Sequence, residues 1–152
     1  MILAIVQARM NSSRLPNKMM ADIGGMPMLS HVVNRVIQSK LIDKVVVATT
    51  LDISDDPIED FCKISGINFY RGSYEDVLDR FYKLAKLEKA DSIVRITGDC
   101  PFVDPDIIDY VISAYASDDY DYVTNSMKYT YPEGMDVEVF SYRALEKSWN
   151  ES

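Results

Sequence analysis

Residues 2–18 read Ile2-Leu3-Ala4-Ile5-Val6-Gln7-Ala8-Arg9-Met10-Asn11-Ser12-Ser13-Arg14-Leu15-Pro16-Asn17-Lys18, an unbroken apolar run followed at once by three cations among small and polar residues. Ile2 to Val6 suits a central strand of a parallel sheet, which is buried on both faces and therefore lacks polar alternation. Ligands of such sheets sit beyond the carboxyl ends of the strands, so the loop leaving this strand is placed to meet one. Arginine offers phosphate oxygens a planar fork and lysine a mobile point charge, which makes the segment suitable for holding a polyphosphate. A solvated basic loop would carry the same letters. The buried strand ahead of the cations favours the functional reading.

The remaining sequence supplies the partners such a strand needs. Leu29, Val32, Val33, Val36 and Ile37 form a helical stripe within 28–42, and Lys44 to Thr49 reads as a second buried strand. A helix over 55–65 starts near Asp56-Pro57 and closes at Gly66. A short strand at 68–70 precedes Gly72-Ser73, and Val77, Leu78, Phe81, Tyr82, Leu84 and Ala85 mark a helix over 74–88. Ser92 to Thr97 is the next strand, ending in Gly98-Asp99-Cys100-Pro101, and Asp104-Pro105 caps a helix over 105–116. Strands at 121–125 and around 138–140 and a helix over 142–149 complete the chain. This alternation predicts a single α/β domain over 1–152, a three-layer α/β/α sandwich with a mostly parallel sheet.

Composition narrows the function. The 152 residues are 47% apolar, enough for one substantial core, and carry a net charge of −8. A general affinity for nucleic acid or anionic membrane is therefore not expected, and the cations of residues 9–18 are a local exception that suggests an anionic small molecule. No window approaches the roughly 18 apolar residues of a membrane span. The first residues lack the basic start of a signal peptide. Cys62 and Cys100 fit no zinc or disulfide framework, which favours a reducing cytoplasm.

Several side chains are candidates for chemistry. Asp99 follows a strand, where its carboxylate could hold Mg²⁺ against phosphate oxygens; a turn-forming aspartate is the plainer reading, and the position relative to Arg9 and Lys18 tips the balance toward metal. Gly72, Ser73 and Arg80 are weaker candidates for base and ribose contacts, against a surface ion pair for Asp79 and Arg80. Period-two geometry over 136–140 puts Asp136 and Glu138 on one face, where both could meet a substrate or metal, although an ordinary strand shows the same pattern. Asp104 and Asp106 fit a helix start. His31 is the only histidine, so a histidine-based nucleophilic triad is hard to build. Neither the Gly-x-x-x-x-Gly-Lys-Ser/Thr loop nor the Gly-x-Gly-x-x-Gly turn is present, and any phosphate grip must come from side chains and loop amides.

Four segments together resemble a known family. Gln7-Ala8-Arg9 through Ser13-Arg14-Leu15-Pro16-x-Lys18, Arg71-Gly72-Ser73 with Asp76-Val77-Leu78-Asp79-Arg80, Arg95-Ile96-Thr97-Gly98-Asp99-Cys100-Pro101, and Pro132-Glu133-Gly134-Met135-Asp136-Val137-Glu138-Val139-Phe140 are similar to the sugar-activating cytidylyltransferases, especially the spore-coat polysaccharide type, and more distantly to the synthetases of CMP-Kdo and CMP-sialic acid. The resemblance implies a Rossmann-like nucleotidyltransferase fold. CTP and a sugar or sugar-acid acceptor would be its partners and Mg²⁺ its cofactor, and a homodimer is allowed. Ala8 and Arg9 would lie along the nucleotide, Arg14 and Lys18 would neutralise the triphosphate and act in catalysis, Gly72, Ser73 and Arg80 would shape the base pocket, and Asp99 would hold the metal. Asp136 and Glu138 remain for the acceptor. Members of the family usually continue past this length to a second metal-binding aspartate on a later strand, so this chain is expected to be C-terminally truncated relative to them.

Two other readings stay open. One is a nucleotide-binding module without turnover. The other is a glycosyltransferase of the related nucleotide-sugar-binding fold, which wants an Asp-x-Asp metal motif that Asp104-Pro105-Asp106 and Asp119-Tyr120-Asp121 match only by letters.

Overall fold

A computed structural model describes residues 1–128 and 130–152. Strand β1 (Ile2–Gln7) runs through the middle of a six-stranded sheet, flanked by β4 (Lys44–Thr50) and β6 (Ser92–Thr97), both parallel to it. Leu3, Ile5, Val46 and Ile93 face one side of the sheet and Ala4, Val6, Val47, Val94 and Ile96 the other, all essentially without solvent exposure. The strand centres are apolar on both sides because both faces are covered, Arg95 in β6 being the exception.

Beyond β4 lies β5 (Phe69–Gly72), parallel again. Beyond β6 lie β8 (Glu138–Ser141), antiparallel to it, and β7 (Tyr122–Thr124) at the edge, giving the order β5-β4-β1-β6-β8-β7. A small hairpin, β2 (Asp22–Ile23) and β3 (Met26–Pro27), stands apart. Its turn is Gly24-Gly25 with φ of 62° and 89°, the left-handed geometry that a two-residue hairpin requires.

Helices α1 (Met28–Val36), α2 (Asp56–Ser65) and α4 (Pro105–Ala116) supply Leu29, Val32, Ile58, Cys62, Ile108 and Val111 to one face. Helices α3 (Val77–Glu88) and α5 (Tyr142–Glu151) supply Phe81, Leu84 and Leu145 to the other. The Tyr82 and Trp149 rings stack at 4.2 Å and bind α5 to α3. The expected three-layer α/β/α sandwich is therefore observed.

Local differences have local causes. Helix α1 ends at Val36, short of residue 42, because Gln38 and Ser39 donate to the Arg35 and Val36 carbonyls and Ser39 and the Lys40 amide turn to Asp109. Helix α3 starts at Val77, three residues later than expected, because the Asp76 side chain accepts the Asp79 amide at 2.8 Å and caps it. Gly66 at φ 67° ends α2 as expected. The hairpin 22–27 went unread in the sequence, its Gly-Gly turn being set between strands of only two residues.

Chain order fixes where a ligand can sit. After β1 the chain moves outward to β4 and β5, then crosses back to lay β6 on the opposite side of β1. The crevice between the carboxyl ends of β1 and β6 is thus the topological switch point, where open α/β sheets bind their ligands.

Candidate active site

Both walls of this crevice carry the residues singled out in the sequence. The loop leaving Gln7 runs through Arg9, Asn11, Ser12, Ser13 and Arg14 to a short 3-10 turn at Lys18–Met20, and β6 exits through Thr97 to Asp99. With Met19 and Arg95 they enclose a cavity of about 250 Å³. The loop is folded on itself. The Asn17 amide donates to the Met10 carbonyl at 3.2 Å, and Asn17 takes φ 59°, which asparagine tolerates better than most residues.

Lys18 and Asp99 meet across the crevice in a direct ammonium–carboxylate contact, joining residues 81 positions apart. Burial works to raise the Asp99 carboxyl, but the Lys18 ammonium outweighs it, aided by the backbone amide and Thr97, and holds the group below the usual carboxylate range. Among the described residues Arg9 and Arg14 form no ion pair, so two cations line the cavity without a protein partner. Gly98 makes the approach of the two walls possible. Its amide donates to the Gln7 carbonyl at 2.8 Å, and a Cβ there would lie 2.9 Å from that oxygen.

Asp99 suits a hard cation. Lys18 holds Oδ2, while Cys100 Sγ lies at 3.9 Å from Oδ1. Among the described residues no three His, Cys, Asp or Glu side chains cluster, which fits a site completed by ligand phosphates rather than an all-protein cage.

The other predicted residues are placed as follows. Ala8 is buried behind the loop, its amide held by the Ala48 carbonyl at 3.0 Å. Gly72, Ser73 and Arg80 do not line the cavity of the cations. Gly72 is a close-approach glycine, since a Cβ would sit 2.8 Å from the Arg80 Cγ and 2.9 Å from the Tyr70 ring. The surface ion pair expected of Asp79 and Arg80 is not formed. Asp79 bonds Lys83 at 2.9 Å and the Trp149 indole at 3.0 Å, while Arg80 is 1% exposed with Nε and Nη1 unpartnered among the described residues. Burial pulls its guanidinium down from the ordinary value; Asp55 opposes this and Arg9 adds to it. These nitrogens are closed off from solvent, and Arg80 lines no cavity among the described residues.

Strand β8 begins only at Glu138, so Asp136 stands just ahead of it, but the alternation expected of 136–140 is present: Asp136 and Glu138 are half-buried and Val137 and Val139 fully buried. Glu138 is bound to Arg95 at 2.6 Å. Arg71, quoted within a motif, clamps the Thr50 and Asp52 carbonyls and the Asp56 and Glu59 carboxylates, which makes it structural. Asp104 caps α4 by accepting the Asp106 and Ile107 amides, and Asp121 is tied to Ser141 and Arg143, so neither Asp-x-Asp match forms a metal site.

Sequence reasoning passed over Gln7, Arg95 and Asp55. Asp55 is fully buried; Oδ1 accepts the Met10 amide at 2.6 Å and Oδ2 the Thr50 hydroxyl, so it bolts the cationic loop to the end of β4. Its letters sit in an acidic stretch that reads as a helix start. Arg95 carried a signal, since a charged residue at the centre of an otherwise apolar strand rarely lacks a polar partner.

Comparison with known proteins agrees with this geometry. The family model described as cytidylyltransferase matches residues 3–151. The spore coat polysaccharide biosynthesis protein SpsF of Bacillus subtilis is 43% identical over 131 residues, covering 82% of this chain and 55% of that protein. A 3-deoxy-manno-octulosonate cytidylyltransferase of Geobacter sulfurreducens is 37% identical over 117 residues, covering 76% and 45%. The structure of a cytidylyltransferase from Leptospira borgpetersenii superposes with a TM-score of 0.93 at 35% identity, covering 99% of this chain and 64% of that one. The chain spans about half the length of the curated relatives it matches. With nearly every residue inside the family match, and the cationic loop facing Asp99 at the switch point, the chain belongs to the cytidylyltransferase family.

Proposed function

We propose that the crevice binds CTP and that the chain carries the CMP-transferring half of a sugar-activating reaction: a hydroxyl oxygen of a sugar or sugar acid attacks the α-phosphorus, its proton passes to solvent, the bond to the β-phosphate oxygen breaks, and pyrophosphate leaves. The observation that carries this reading is the Lys18–Asp99 contact across the exits of β1 and β6, beside the unpaired Arg9 and Arg14.

Each residue has a task. Arg9 and the loop running from Ala8 follow the nucleotide, and Arg14 and Lys18 offset the charge that grows on the departing pyrophosphate. Asp99 would hold Mg²⁺, which would supply neutralisation of phosphate charge. The Lys18–Asp99 contact keeps both side chains at the crevice, where Lys18 can pass to phosphate when the nucleotide binds. Gly72, Ser73 and Arg80, whose Nε and Nη1 lack a partner among the described residues, border the base. The same reading makes the chain a cytoplasmic protein of cell-surface or spore-coat polysaccharide synthesis, without nucleic-acid or membrane partners and compatible with a homodimer. Among the described residues no helix is long and apolar enough to cross a membrane.

The test is pyrophosphate release from Mg-CTP over a panel of sugars and sugar acids, with calorimetry of Mg-CTP alone beside it. Release with an acceptor supports the transferase. Binding without release over the panel supports the module without turnover, and release of nucleotide from a nucleotide sugar without CTP consumption supports the glycosyltransferase.

A further inference from the structure

On the sheet face covered by α3 and α5, register places Leu3, Ile93 and Phe140 side by side, then Ile5, Arg95 and Glu138, then Gln7 and Thr97. The apolar row lies under the helices, and toward the strand ends the face turns polar. Arg95 is the hinge of this polar floor. Its Nη1 donates to Glu138 Oε1 at 2.6 Å, and its Nε and Nη2 both donate to Gln7 Oε1 at 3.3 Å. Gln7, Arg95 and Thr97 line the same cavity as the phosphate cations. The Tyr122 ring, stacked on Phe140 and half exposed, flanks the floor, with its phenol in the field of Glu138 and Arg95.

The unused hydrogen-bonding capacity of the floor is mixed. With Gln7 Oε1 taken by Arg95, the Gln7 amide nitrogen remains a donor without a partner among the described residues; Arg95 keeps one N–H on each terminal nitrogen, and Glu138, which adjoins the cavity through Arg95, keeps Oε2 as an acceptor. A hydroxyl both donates and accepts and satisfies such a set. A carboxylate only accepts, would face the Glu138 oxygens, and would find the Arg95 charge already compensated. An aromatic face beside planar polar side chains also suits the C–H surface of a sugar ring.

We propose that Gln7, Arg95 and Glu138, flanked by Tyr122, form a subsite for vicinal hydroxyls of a polyhydroxylated acceptor, with Glu138 selecting against a carboxylate at that point. As an acceptor subsite it rests on the nucleotidyl-transfer reading, but its ligand chemistry can be tested without nucleotide.

The experiment titrates methyl glucoside and, separately, glucuronate into the ¹⁵N-labelled chain without nucleotide, following the Gln7 side-chain amide and the Arg95 Nε–H by NMR. Wild type is expected to respond saturably to methyl glucoside and at least about tenfold more weakly to glucuronate, the tenfold corresponding to about 1.4 kcal/mol. Glu138→Gln is near-isosteric, keeps an oxygen for Arg95 and removes the opposing charge; glucuronate should then gain about tenfold and approach the neutral glycoside. Gln7→Met should abolish the neutral response. Failure of both probes to shift these signals, or a preference for glucuronate that Glu138→Gln leaves unchanged, overturns the proposal. Mg-CTP is titrated in parallel, and loss of that response alone, with the sugar response intact, counts against the nucleotide reading and not against the subsite.

Discussion

The Lys18 ammonium rests on the Asp99 carboxylate across the gap between the exits of β1 and β6, joining the cationic loop to the strand on the other side of the switch point. Each residue stabilises the other without ligand, and each is released by the phosphate and metal it would serve. Lys18→Ala should therefore lower turnover by about two to three orders of magnitude, the loss seen when a preorganised electrostatic donor is removed. Steady-state kinetics of the variant decide the matter, and unchanged turnover would remove Lys18 from the mechanism.

Asp55 acts on the same loop from below. Asp55→Ala leaves the Met10 amide and the Thr50 hydroxyl buried without their acceptor, at a cost of about 1–3 kcal/mol in stability. Removing a negative charge near an anion site would by itself tighten CTP, so weaker CTP binding in the folded variant identifies loop displacement as the cause. Tighter binding would show that Asp55 acts only through its charge.

Gly98 should tolerate no side chain. In Gly98→Ala the new Cβ would lie 2.9 Å from the Gln7 carbonyl and 3.2 Å from Ala8 Cβ and Met19 Sδ, so the walls must part. Loss of about 1–3 kcal/mol is expected from such overpacking, together with weakened Mg-CTP binding because Asp99 is the next residue. Denaturant unfolding and calorimetry on one preparation read both effects.

The pH dependence follows from Asp99, whose pKa is lowered in the folded chain. A lowered carboxyl favours folding once pH exceeds its unfolded value, and this contribution disappears as pH falls through the folded value. Melting temperatures of wild type and Asp99→Asn should differ at neutral pH and converge only on the acid side of the ordinary carboxylate range. Curves that stay parallel through that range would show that the Lys18 contact contributes nothing to stability.

The mostly parallel sheet was legible because Ile2–Val6 and Val45–Ala48 are apolar at every position and Ile93–Ile96 is broken only by Arg95; the order of the strands was not. The meeting of the cationic loop with Asp99 was legible too, since the loop carrying Arg9, Arg14 and Lys18 and the turn carrying Asp99 both leave predicted strands. Other interactions between distant segments were not. Asp55 meets Met10 from 45 residues away, and Arg95 gathers Gln7 and Glu138 from two other strands, so local spacing could not announce either. Arg80 was misread for a related reason: whether a helical arginine faces water or the core depends on what the fold lays over it, here Gly72 and Tyr70.

The central claim is tested most directly by thermal unfolding against CTP, UTP, ATP and GTP, each with and without Mg²⁺. At a free concentration about 100 times its dissociation constant, a ligand of the native state adds about 2.7 kcal/mol, which for a chain of this size raises the melting temperature by about 5–10 °C. The account predicts that shift for CTP with Mg²⁺, a smaller one without the metal, and little for the other nucleotides or for CTP with Asp99→Asn. Equal shifts for all four nucleotides, or a CTP shift indifferent to Asp99, would contradict it.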